Sequence, residues 1–354
     1  MSKYLKEKYA SLAPYVPGEQ PRDMKYIKLN TNESPFPPSP LAIQYAREEA
    51  ERLMLYPDPE LTSIKGALAD YYGVKRECVS ATNGSDDALN FAFMAFCDES
   101  TPALFADITY GFYKVFARLN HIPYTELPLL EDFTLSVDDY IGRRGTVFIA
   151  NPNAPTGIFL PLSEIERLVA SDTSRVVIVD EAYVDFGGES AVRLTEKYSN
   201  LLVIGTFSKS RSLAGGRLGF AIGSEELISD IERLRNSTNP YNINRMTMAA
   251  GVGALADRAY FEDNCKKIIS TRENTSAQLR KMGFTLTPSS ANFIFASHKS
   301  IDAEQMYLTL KKNGILVRHF TQEIIKDYNR ITVGNAEEMQ ILIDKIKEIW
   351  GDIL

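Results

Sequence analysis

At 354 residues the chain is long enough for two domains of roughly 100–200 residues each. Its composition, 44% hydrophobic and 24% charged, excludes whole-chain disorder; 46 acidic against 39 basic residues (net −7) argue against a basic face for nucleic acid, yet leave room for a local anion pocket. Three distant cysteines (Cys78, Cys97, Cys265) without a CxxC pair, and three dispersed histidines, exclude a disulfide framework and give no reason to expect a metal.

The first residues contain no apolar core of signal-peptide length, and no run approaches the ~20 apolar residues of a membrane span. A cytoplasmic protein without membrane contact is expected. Pro14, Pro17 and Pro21 break any helix begun by residues 3–11, and Pro35, Pro37, Pro38 and Pro40 follow Ile27–Leu29. Residues 1–35 therefore read as an extended arm. From residue 40 helices and strands alternate. Helices are predicted over 40–52 and 60–72, the second stopped by Gly73. Strand 78–81, helix 85–96, strand 103–106 and helix 110–119 follow. Then come strand 147–150, helix 162–170, strand 176–179, and strands 201–205 and 218–222. Strands this uniformly apolar, separated by helices, indicate an α/β fold with a mostly parallel sheet covered on both faces.

After a helix over 225–236, the polar stretch 236–245 with Pro240 marks a boundary. Beyond it, two helices over 246–282 meet near Asp257. Strands 284–287, 293–296, 315–318 and 330–333, with helices 302–313 and 337–350, complete a smaller α/β unit. The expected division is an arm over 1–35 that adds to the small domain, a large domain over 36–240 and a small one over 241–354.

Ligands of open α/β sheets bind beyond the carboxyl ends of the strands. After strand 78–81, Gly84-Ser85-Asp86-Asp87 leads into a helix whose first N–H groups suit an anion; a helix capped by Ser85 or Asp86 would look the same. After 147–150, Asn151-Pro152-Asn153-Ala154-Pro155-Thr156-Gly157 forms a rigid turn in which Asn153 offers an amide. After 176–179 stands Asp180, an acid costly to bury unless paired or functional, with Tyr183 three residues on. After 201–205, Ser208-Lys209 and Arg217 supply a candidate imine-forming amine and two phosphate contacts. Arg318 and Arg330, at strand ends, suit two anionic groups. Each segment alone also has a plain structural explanation. Together, in fixed order on successive strand ends, they describe a site for pyridoxal 5′-phosphate. That cofactor needs a lysine, an acid at its pyridine nitrogen and a phosphate cup.

At this point the sequence resembles the fold-type I, aspartate-aminotransferase-like pyridoxal-phosphate enzymes, and among them the histidinol-phosphate aminotransferases. The resemblance runs along essentially the whole chain, through KLNTNESPFPP, YPDPE, TNGSDDAL, TYGFY, NPNAPTG, VDEAYVDF, TFSKSRSLAGGRLGF, NFIF, GILVR and RITVG. It implies a large sheet domain sandwiched by helices plus a small α/β domain. It implies that Lys209 carries the cofactor as an imine and shuttles the proton, that Asp180 keeps the pyridine nitrogen protonated, and that Tyr183 hydrogen-bonds the phenolic oxygen. By the same resemblance Tyr110 stacks on the ring, while Gly84, the backbone of Ser85 and Asp86, and the side chains of Ser208 and Arg217 hold the phosphate. Arg330 binds the carboxylate of glutamate or 2-oxoglutarate, Arg318 and Tyr15 contact the substrate phosphate, and Asn32 lies in the substrate cleft. Tyr56 reaches the cofactor phosphate of a partner subunit, implying a homodimer. The family's second asparagine of Asn-Asn-Pro-Thr-Gly is Ala154 here, leaving Asn153 as the neighbouring substitute.

The implied reaction is transamination between histidinol phosphate and 2-oxoglutarate. Two other activities of the same fold are kept open: an aromatic-amino-acid aminotransferase, and a threonine-phosphate decarboxylase, whose HGGN-like segment is absent here. A non-enzymatic regulator or scaffold would not need Lys209, Asp180, Tyr183 and Arg217 together. A nicotinamide oxidoreductase would need a GxGxxG after a strand, and none occurs.

Overall fold

The structure, a computed structural model, describes every residue except Met1, Ala10, Ser11, Pro14 and Leu354. Its main sheet has seven strands in the order Val79–Thr82, Gly219–Ile222, Leu201–Thr206, Val177–Asp180, Thr146–Ala150, Ala103–Ala106 and Tyr124–Leu127. Six run in the same direction; Gly219–Ile222 is antiparallel to both of its neighbours. Successive side chains feed opposite cores: Val177 and Val179 enter one cluster, and Ile178 enters the other. This two-sided burial is why the strands read as unbroken apolar runs. The edge strand Tyr124–Leu127 escapes that reading because its YTEL sequence is polar and half-exposed.

The helices begin and end where local chemistry dictates. Ser39 accepts from the Ala42 N–H ahead of Pro40–Ala50, and Gly73, at φ +69°, closes Thr62–Tyr72 in the left-handed region. Asn335 and Glu338 form a reciprocal capping box on Ala336–Trp350. Within residues 3–11, the described part holds only a short 3₁₀ turn, Glu7–Tyr9; Ala10 and Ser11 lie outside the described residues.

The second unit contains a four-stranded antiparallel sheet in the order Arg318–His319, Asn329–Thr332, Phe293–Ser297 and Thr285–Leu286. The expected strand 315–318 divides between two sheets: Ile315–Leu316 pairs in parallel with Ile27–Lys28 of the arm, while Arg318–His319 turns to Asn329–Thr332. Leu29 thereby joins the small unit's core with Ile294, Val317 and Ile331. The helix Arg245–Ala256 belongs to the other core, since Met248, Ala250, Ala254 and Leu255 pack with the large sheet's cluster. Packing therefore changes over at Asp257, before the long helix Arg258–Lys281, and not at residue 240. Composition marked the exposed loop, but burial follows the apolar face of the next helix. Among the described residues no helix is long and apolar enough to cross a membrane.

Candidate active site

The parallel strands end side by side at Ala150, Asp180 and Thr206. All three line a cavity of about 340 Å³ whose wall also includes Ser85, Asp86, Tyr110, Ala154, Tyr183, Ser208, Lys209 and Arg217. Thr31 and Glu33 of the arm close it. The position fits the rule that α/β sheets bind ligands beyond their strand carboxyl ends.

Lys209 Nζ donates to the Thr31 carbonyl at 3.3 Å and lies 5.8 Å from the centre of the Tyr183 ring. Beneath it Asp180 is 5% exposed and lacks a cationic side-chain partner within the described residues. Burial pushes its carboxyl up to about 6, against the hydrogen bonds that hold the charged form. These come from the Tyr113 hydroxyl to Oδ2 at 3.0 Å and the Ala182 N–H to Oδ1 at 3.2 Å. Tyr113 was not singled out from the sequence. Its signal was faint: it follows Tyr110 at helical spacing and turns inward.

The anion end is built around Gly84, the N-cap of Ser85–Phe96. Gly84 replaces Ser85 and Asp86 as the cap; no side chain caps this helix, so its first N–H groups remain available. Gly84 has φ +87°, and a Cβ there would stand 2.6 Å from Arg217 Nη2. Only glycine admits the guanidinium so close. Arg217 donates to Asp86 Oδ2 at 3.0 Å and to Ser208 Oγ at 3.4 Å, and the Tyr110 hydroxyl donates to Asp86 Oδ1 at 2.8 Å.

Two expected contacts are corrected. Asn153 turns away from the cavity: its Nδ2 donates to the Ile108 carbonyl and to Thr156 Oγ1, and its Oδ1 accepts from Thr109. With every amide group committed to holding the loop, it cannot replace the missing asparagine; Ala154 lines the wall instead. Asn32 does not line the substrate cleft either. It is 1% exposed and donates through Nδ2 to the Tyr183 hydroxyl at 3.0 Å.

Neither Arg318 nor Arg330 is among the residues that line this cavity. Arg318 and Arg330 are direct cross-strand partners. Arg330 donates to the Asn30 carbonyl at 2.9 Å, its Nε has no partner among the described residues, and its charge lies 5.4 Å from the Phe293 ring, which meets Tyr183 edge-on. Burial lowers its basicity. Arg318 reaches the Val16 and Pro17 carbonyls, and neighbouring Tyr15 stacks on Phe112 with ring centres 4.2 Å apart. Tyr56 is exposed, stacked on Tyr241 at 4.5 Å, and is not part of this chain's cavity wall.

Residues 24–346 match the model of the family Aminotransferase class I and II. The chain belongs to this family. As an aminotransferase of class I and II, it is 49% identical over 349 residues to a curated protein of Clostridium acetobutylicum called histidinol-phosphate aminotransferase, covering 98% of this chain and 99% of the relative. A relative of the same name from Marinomonas sp. is 50% identical over 354 residues, covering 99% of this chain and all of the relative. A solved histidinol-phosphate aminotransferase from Sinorhizobium meliloti, in complex with pyridoxal-5′-phosphate, superposes with a TM-score of 0.85 at 22% identity, covering 93% of this chain and 92% of that one. The aminotransferase fold of this chain is thus the large mixed, mostly parallel sheet with a smaller α/β unit.

Proposed function

We propose that this aminotransferase uses pyridoxal 5′-phosphate to exchange an amino group between L-histidinol phosphate and 2-oxoglutarate, giving imidazole-acetol phosphate and L-glutamate. The carrying observation is the near full-length identity to curated relatives of that name, around a cavity that holds Lys209, Asp180 and Tyr183 together. The residues fit the cofactor. Asp180, a buried carboxylate with a raised affinity for protons, would meet the ring nitrogen, and Arg217 with the uncapped helix start at Gly84 would meet the phosphate.

When bound, the cofactor supplies an aldehyde that takes up the amino group and a pyridinium ring that draws the electron pair left at the substrate Cα. The remaining work belongs to the chain. Lys209 holds the cofactor and carries the proton to and from the substrate Cα. Asp180, oriented by Tyr113 and the Ala182 N–H, holds a proton at the ring nitrogen through a charge-assisted hydrogen bond. The backbone N–H groups of Ser85 and Asp86, with Ser208 and Arg217, bind the phosphate, and Tyr110 packs on the ring. Arg330, whose Nε has no partner among the described residues, binds the substrate carboxylate, while Arg318 and Tyr15 meet the substrate phosphate. Two arginines paired across one sheet edge suit a site whose alternating substrates are a dicarboxylate and a phosphate monoester.

The same reading makes the enzyme a homodimer in which Tyr56 serves the partner's site. Its support is the exposed apolar run Leu53, Met54, Leu55 and Tyr56. The deciding experiment incubates L-histidinol phosphate and L-phenylalanine separately with 2-oxoglutarate and measures glutamate. Turnover of the phosphate ester is expected. Turnover of phenylalanine alone assigns an aromatic aminotransferase, and carbon dioxide release from L-threonine phosphate, offered in a third incubation, without turnover of the other two assigns a decarboxylase.

A further inference from the structure

We infer that Asn32 is a positioning residue that directs the Tyr183 hydroxyl hydrogen into the cavity, toward the cofactor's phenolic oxygen. This rests on the cofactor reading above and goes beyond it by assigning a device that orients the phenol.

The orientation follows from counting hydrogens. The main-chain N–H of Asn32 donates to Thr332 Oγ1 at 2.9 Å. That oxygen therefore sends its own hydrogen to Asn32 Oδ1, also at 2.9 Å. With its carbonyl held by Thr332, the Asn32 amide can only present its NH₂ to Tyr183, at 3.0 Å. The Tyr183 oxygen accepts there, so its single hydrogen must point elsewhere. Tyr183 lines the cavity, with Phe293 packed edge-on against its ring. The cavity is the direction left for a donor.

The backbone is built for this contact. Asn32 has φ +56°, a left-handed conformation that asparagine tolerates better than most residues. Asn292 Nδ2 holds the Asn32 carbonyl at 3.1 Å, and Asn292 and Thr332 are 0% and 2% exposed. Arm and small sheet thus fix one amide against one phenol. Among the described residues that line the cavity none carries a side-chain amide: Ala154 lines the wall and Asn153 is committed elsewhere.

A donor at the phenolic oxygen offsets negative charge that would otherwise favour a protonated link between Lys209 and the cofactor. The charged and titratable groups facing this pair are Asp180, Asp86, Tyr110, Arg217, Glu33 and Arg330, and substitution at position 32 leaves all of them in place.

The test is a pH titration of the visible absorbance of the cofactor-loaded protein in four forms: wild type, Asn32→Gly, Tyr183→Phe and the double variant. Asn32→Gly keeps the left-handed backbone; Asn32→Ser, which removes the amide without adding a charge, serves if the glycine form does not fold. The midpoint should rise by about 0.5 to 1 unit in Asn32→Gly, and this substitution should add less than about 0.2 unit in the Tyr183→Phe background. An unchanged midpoint in Asn32→Gly, or an equal shift without the phenol, overturns the inference. A wild-type protein that forms no visible chromophore overturns the cofactor reading and the inference together.

Discussion

The Tyr113 hydroxyl donates to Asp180 Oδ2 at 3.0 Å, both groups being buried. Tyr113 is the side chain that holds the charged form of an acid otherwise penalised by burial. Tyr113→Phe should therefore raise Asp180 further and weaken its hold on a protonated ring nitrogen. Loss of one hydrogen bond to a charged group, about 1.5–3 kcal/mol, corresponds to cofactor affinity lower by roughly 10- to 100-fold. Equilibrium dialysis of the cofactor checks this; unchanged affinity would show that Tyr113 only fills space.

Gly84→Ala attacks the opposite end of the cavity. The added methyl would stand 2.6 Å from Arg217 Nη2, on a backbone at φ +87°. Arg217 must move, so cofactor affinity should fall by at least about 10-fold. The same dialysis, with inorganic phosphate as competitor, separates a lost phosphate contact from general damage: competition should weaken in parallel.

Acid–base behaviour gives a prediction about the cofactor-free protein. Burial pushes Asp180 up to about 6 and its neighbour Glu181 up to about 8, despite the Glu181 hydrogen bonds from Ser190 and the Ala191 N–H. The folded state holds these protons more tightly than the unfolded chain. Stability therefore falls as pH rises from the ordinary carboxylate range through those values, and the penalty is complete above about pH 8. Glu181→Gln removes the Glu181 share. Its melting temperature should exceed wild type at about pH 9 and converge with it near pH 5. Parallel curves across that range would sink the assignment.

Asn153→Ala should behave as a structural substitution. Three hydrogen bonds hold the loop through this amide. Stability should drop by about 1–3 kcal/mol, a few degrees in melting temperature, while the visible spectrum of the loaded enzyme stays in place. A changed spectrum would return Asn153 to the cofactor.

Arg318→Ala should raise KM for histidinol phosphate by roughly 10- to 100-fold and leave glutamate within about 3-fold, whereas Arg330→Ala should impair glutamate, which carries the carboxylate, more than histidinol phosphate, which has none. Equal losses for the two substrates in Arg318→Ala would remove its assignment to the phosphate.

Much of this site was legible before folding because its residues cluster just after apolar strands. Where a buried strand ends in Asp180, or a glycine opens a helix at Ser85, local sequence alone puts chemistry at the carboxyl edge of the sheet. What sequence could not decide depends on long-range contacts. Asn32 and Thr332 are 300 residues apart, and only the packing of the arm against the small sheet sets the amide's direction toward Tyr183. Asn153 and Ala154 are adjacent, yet the turn commits one amide to Ile108 and leaves a methyl facing the cavity. Helix Arg245–Ala256 lies beyond the polar boundary loop, but its apolar face finds the large core. Periodicity and strand-end residues, being local, fixed the fold class and the chemical groups. Partners, orientation and domain membership were decided by the tertiary structure, because a hydrogen bond or a buried face is defined by what arrives from elsewhere in the chain.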